Sequence, residues 1–93
     1  MLYNFIELPD ETIISHSEVL NLNGREGVKV YIETPDEKNC FNHGVYWLPE
    51  GKWEDVVGYT TEQLDYFQDF VESEKALIFE FAKNGGLEHA SGL

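Results

Sequence analysis

The side chains able to do chemistry of their own in this chain are few. Cys40 and the histidines His16, His43 and His89 are the residues that could ligate a transition metal or assemble a nucleophile with its base. Their spacing argues against both. Cys40 and His43 stand three residues apart, so on a regular strand they point to opposite faces. No second pair with zinc-site spacing exists, so neither a metal nor another cofactor is expected. Nothing around Cys40 resembles a nucleophile motif, and a thiol without a base beside it is a poor nucleophile. His16 would supply that base, or meet His43 across adjacent strands, only if strand register allows it. A small hydrolase or metal-binding protein using Cys40 and His16/His43 is therefore one alternative reading. Gly85-Gly86 follows a helical segment, whereas anion cradles sit at helix starts, so no phosphate loop is present.

Carboxylates are abundant instead. The 93 residues carry 18 acids against 6 lysines and arginines, a formal net charge of −12. The acids are spread along the chain, so the charge belongs to the folded body and not to a tail. A field of this sign disfavours direct binding to nucleic acid or to an anionic membrane, since both need a basic patch. It favours a basic protein partner. A second alternative is a housekeeping domain whose acidity serves only solubility.

With 42% hydrophobic residues, two tryptophans, five tyrosines and six phenylalanines, the chain can build a core as one domain over 1–93. No apolar run is long enough to cross a membrane, and the N-terminus has no basic, signal-like segment. A lone cysteine suits the cytoplasm.

The elements that must position these groups follow from periodicity. Strands are expected near 2–7, 12–22, 28–34 and 40–48, with a bulge near Ser15–Ser17 where neither parity of the second strand is clean. Asn23-Gly24 is a strong hairpin signal. Val28, Val30 and Ile32 alternate with Lys29, Tyr31 and Glu33, which means one face on the core and one in water. Phe41, His43, Val45 and Trp47 share one face of the next strand; Asn42, Gly44, Tyr46 and Leu48 share the other. Trp53 to Gly58 reads as a connection.

A helical region is expected over 61–84. Thr60 and Gln63 have capping-box spacing, with Tyr59 and Leu64 placed to form a hydrophobic staple. Lys83 and Asn84-Gly85-Gly86 supply the stop. Leu64, Phe67, Phe70, Val71, Leu77, Ile78, Phe81 and Ala82 share one broad face, but Glu74 points out of its centre. A buried unpaired carboxylate is costly, so a break near Ser73 is expected, with Ser73 capping the second segment. The tail 87–93 is expected to fray. The fold class is α+β: an antiparallel meander of three to four strands with the helical region on one face, two layers in all.

Two surfaces stand out as partner-binding candidates. Glu62, Asp65, Asp69 and Glu72 form a stripe on the polar side of the helix, with no lysine four residues on. Tyr46, Trp47, Trp53 and Tyr59 are aromatics of the kind enriched in binding hot spots, although a small core would claim the same residues. The expected function is that of a small acidic cytoplasmic protein binding a basic protein, as an antitoxin or immunity-type neutraliser or a nucleic-acid mimic would. Its oligomeric state is left open.

Overall fold

The computed structural model describes residues 2–85; the tail 87–93 and His89 lie outside them. The elements run β1 (Leu2–Glu7), β2 (Ile13–Ser17), β3 (Leu20–Leu22), β4 (Arg25–Asp36), β5 (Cys40–Leu48), β6 (Lys52–Val57), α1 (Thr61–Ser73) and α2 (Lys75–Lys83). Every strand pairing is antiparallel, in the order β1-β2-β4-β5-β6, with β3 pairing the start of β4. Both helices cover one face, so the α+β class and its two layers hold.

The strand count does not. The sheet has six strands, not three or four. Residues 12–22 split because the chain leaves the ladder after Ser17. Ser17 Oγ accepts from Lys29 N–H at 3.1 Å and donates to the Glu18 carbonyl at 2.7 Å. Ser17 faces away from the helices while Val19, of the same parity, packs against the core, so a regular strand cannot hold both. The segment after Gly51 is also a strand, β6, and not a connection. Its alternation is hidden by a bulge: Asp55 adopts φ 51° and the register shifts between His43 and Val45.

The Asn23-Gly24 turn has positive φ at both positions, 53° and 83°, the type I′ geometry whose twist matches a hairpin. It joins β3 to β4. From there strand parity sorts the side chains. Ile14 on β2, Val28, Val30 and Ile32 on β4, and Tyr46 and Leu48 on β5 face the helices and are essentially inaccessible. They form one cluster with Phe67, Val71, Ile78 and Ala82 from the helices.

The helical region begins as its sequence requires. Thr60 Oγ1 accepts from Gln63 N–H at 3.2 Å, and Gln63 Oε1 accepts from Thr60 N–H at 2.9 Å, a complete capping box. The expected break falls at Glu74, which leaves helical geometry at φ −104°, ψ 10°. Ser73 does not cap α2. Its hydroxyl donates back to the Phe70 carbonyl at 2.6 Å, and the N-cap of α2 is Glu74, which makes no side-chain cap bond. The break lets two short helices follow a twisted sheet that one straight rod would cross. α1 lies over β5 and β6, through Tyr46–Glu72 and Trp53–Gln68 contacts, while α2 lies over β1 and β2, with Phe81 against Phe5. Gly85, at φ 82°, ends the helix where the Asn-Gly signal placed the stop.

Candidate partner-binding face

α1 is held on the sheet by Phe67 and Val71, both buried, and by the strap that precedes it. Tyr59 in that strap lies edge-on to Phe67, with ring centroids 5.2 Å apart. Its hydroxyl donates to the Asn42 carbonyl at 3.2 Å. A carbonyl can only accept, so Thr34 must donate to Tyr59 at 2.8 Å and Thr12 to Thr34 at 2.7 Å. One directed hydroxyl line thus ties β2, β4, β5 and the helix start together. Burial raises the Tyr59 pKa above its usual value; the Thr34 bond opposes this, and the charges of Asp10 and Glu33 add to it.

With its inner side fixed, α1 presents Glu62, Asp65 and Asp69 to solvent. Among the described residues none of the three is ion-paired. Asp65 and Asp69, one turn apart, repel each other. Glu62 sits in the first turn, where a carboxylate suits the helix N-terminus. Glu72, expected on the same exposed stripe, is half-buried and partnered. Tyr46 Oη donates to Glu72 Oε2 at 2.6 Å, and Lys75 Nζ lies 3.6 Å from Glu72 Oε1. The Tyr46 phenol is pushed well above its ordinary range, first by burial and then by the hydrogen bond and charge of Glu72, with Asp69 contributing. Glu72 is therefore an anchor between helix and sheet.

The place it leaves in the exposed set is taken by Tyr66, which the sequence reading passed over. It is 58% exposed, the most exposed of the large hydrophobic side chains among the described residues. Helical spacing puts it beside Glu62 and Asp69, and its ring rests against Phe67 with centroids 5.5 Å apart. A helical wheel would have found it: Tyr66 falls outside the apolar face that runs through Leu64, Phe67 and Val71.

The four aromatic candidates do not form one patch. Tyr46 is 1% exposed and lies under α1. Trp53 packs tilted against Tyr46, with centroids 4.9 Å apart and ring planes at 59°, and its indole N–H donates to Gln68 Oε1 at 3.3 Å. Tyr59 belongs to the strap. Trp47 alone faces the other side of the sheet, where Lys29 Nζ sits 4.8 Å from its ring centre. Among the described residues no helix lies over that side. It carries a groove of about 530 Å³ lined by Tyr31, Glu33, His43, Val45, Asp55 and Val57.

The residues of the hydrolase or metal alternative are kept apart. His16 and His43 cannot meet across adjacent strands, because β4 lies between β2 and β5 and the two side chains have opposite parity. His16 points under the helices and is fully buried, whereas His43 lines the groove on the far face. Cys40 is an exposed free thiol at the start of β5. Among the described residues no group of three or more His, Cys, Asp or Glu is placed to hold a metal ion. No helix among them is long and apolar enough to cross a membrane. No protein-family model, curated protein or solved structure matches the chain.

Proposed function

We propose that this protein acts in the cytoplasm by binding a basic protein partner through the outer face of α1. The observation that carries this reading is the company that Tyr66 keeps: an exposed ring flanked by Glu62, Asp65 and Asp69, none of them neutralised within the described chain. Acidity alone serves solubility, but a single-sign field also steers an oppositely charged partner. Here one sign surrounds one large amphipathic ring, the composition that binding hot spots favour when the partner brings lysines or arginines. Carboxylates spaced about one helical turn apart, roughly 5.4 Å along the axis, suit an immunity-type neutraliser or a mimic of nucleic-acid phosphates facing a basic enzyme.

The test uses a basic protein captured from the native lysate and then purified. Asp65→Asn with Asp69→Asn should lower its association rate several-fold at low salt. The difference should shrink as ionic strength rises past about 0.15 M, where the Debye length is about 8 Å. Tyr66→Ala should act on the dissociation rate. Parallel salt dependences for the double variant and the wild type would remove this face from the interface.

A further inference from the structure

The open face of the sheet is ordered in rows across its strands. One row holds Lys29, Trp47 and Lys52, paired in register across β4, β5 and β6. The next holds Tyr31, Val45 and Glu54. The third holds Glu33, His43 and Val57, with the bulged Asp55 beside them. Lys29 and Lys52 therefore stand at one end of the face, Glu33 and Asp55 at the other, and the row between is apolar over β4 and β5 and ends in exposed Glu54 on β6. Ile13, Phe41 and Val57 on this face are 40%, 47% and 42% exposed.

This arrangement is complementary to itself along β4 and β5. Consider a two-fold axis lying in the plane of the interface, at right angles to the strands, through Tyr31. It lays each strand over its own copy in the opposite direction. The first row then faces the third, and the middle row faces itself, with Tyr31 and Val45 in apolar contact and the two copies of Glu54 opposed at the β6 edge. Lys29 meets Glu33 of the second copy, Trp47 meets His43, and Lys52 reaches the end that carries Asp55 and Val57. Each pairing occurs twice, as a closed isologous contact demands. The alternative axis, parallel to the strands, would set lysine on lysine and carboxylate on carboxylate. Two sheets stack at about 10 Å with their strands within roughly 30° of each other, which keeps the central strand β4 in register with itself. Molecular extents of 39 × 31 × 22 Å leave a broad face, wide enough for the roughly 800 Å² per partner of a standard interface.

We propose that this face docks a second copy of the chain, forming a two-fold, sheet-on-sheet homodimer with Tyr31 on the axis and Lys29 paired to Glu33 across it. Both α1 helices then face outward, so the dimer would leave the binding face argued above free on each copy, and it stands or falls independently of that reading.

Charge exchange tests the register. The net charge of −12 opposes association at long range. Sedimentation equilibrium is therefore run at about 0.15 M salt, where the Debye length is about 8 Å and close pairs dominate. The wild type should be dimeric. Lys29→Glu alone and Glu33→Lys alone should each raise the dissociation constant at least about tenfold, since each sets like charges against each other twice. The double exchange restores opposite charges across the axis and should return the constant to within about threefold of wild type. Circular dichroism on each variant separates lost pairing from lost fold. Tyr31→Cys in a Cys40→Ser background should cross-link to itself through a short bifunctional maleimide, since sheets about 10 Å apart hold facing Cα atoms beyond disulfide reach. A wild type that stays monomeric at millimolar concentration overturns the proposal. So do single exchanges without effect, a double exchange that fails to restore the dimer, or a folded Tyr31→Cys variant that does not cross-link.

Discussion

The two faces of the sheet are made by the same strands and share almost nothing else. On β4, Val28, Val30 and Ile32 have no accessible surface, while Lys29 and Tyr31 are half-buried and Glu33 is exposed. The covered face is apolar, and three of its polar side chains are bound internally: Thr12 and Thr34 in the hydroxyl line, and Asn42 accepting from Asn39 Nδ2 at 3.1 Å. The open face carries its charges on the rims of an apolar centre. Parity places residues on a face. What that face then becomes depends on whether a helix arrives to cover it, and both helices arrive on one side.

That contrast can be broken at neighbouring residues. Ile32→Ala removes a fully buried side chain beneath the helices and should cost about 2–5 kcal/mol of stability in urea unfolding. Glu33→Ala, one residue on, should change stability by less than about 0.5 kcal/mol in dilute solution. Similar losses for the two would mean that the far face is as closed as the near one.

A smaller effect is expected where β6 ends. Gly58 has φ 89°, and an added Cβ would overlap Asn42 Oδ1, a buried acceptor on the covered face. Gly58→Ala should cost about 1–3 kcal/mol, read as a lower Tm with native circular dichroism, because both backbone and Asn42 must yield. An unchanged Tm would show that the Asn42 contact gives way freely. Gly24, also at positive φ, has nothing within 4 Å of an added Cβ and is the control for backbone strain alone.

The smallest effect depends on pH and belongs to a polar group of the covered face that is left incomplete among the described residues. His16 Nδ1 lies 2.8 Å from the Ser17 carbonyl and so carries the proton, while Nε2 is buried with no partner. The rings of Tyr3 and Phe5 stand beside it. Burial lowers its pKa below the ordinary 6.5 and outweighs the Ser17 bond, which acts to raise it. The folded state therefore binds fewer protons than the unfolded one between the lowered value and 6.5. The contribution of neutral His16 is complete above about 6.5 and is lost as pH falls from there toward the folded pKa. Unfolding free energies measured from pH 7.5 to pH 5 should drop more steeply for wild type than for His16→Gln, by up to one proton in slope. Equal slopes would mean that His16 gains a proton as easily folded as unfolded.

The covered face was largely legible in the sequence because its signals are local. Alternation along Val28–Ile32 and along β5, the Asn23-Gly24 turn, the Thr60–Gln63 box and the break at Glu74 all act over a few residues. What escaped depends on distance or on irregular backbone. Glu72 looked like one more exposed acid because its partner, Tyr46, lies 26 residues away. β6 looked like a loop because the bulge at Asp55 puts two acids in succession. The split at Glu18–Val19 and the separation of His16 from His43 follow from strand order, which no local pattern encodes. Tyr66 was different, since its exposure was readable from helical spacing alone. Whether α1 or the open sheet face meets a partner is not a matter of local pattern either, and the salt and charge-exchange measurements decide it.

Trp47 and Trp53 flank the turn between β5 and β6 yet stand on opposite sides of the sheet. Optically, that makes the chain two instruments in one. Trp53, packed against Tyr46 and hydrogen-bonded to Gln68, collects excitation energy from the tyrosine and emits from the helix-covered interior. Trp47, with the Lys29 ammonium over its ring, emits from the uncovered side. Replacing either tryptophan by phenylalanine leaves a single emitter. Loosening of α1 then reads out as a red shift from Trp53, and arrival of another molecule on the bare sheet reads out as a change from Trp47, with no dye attached.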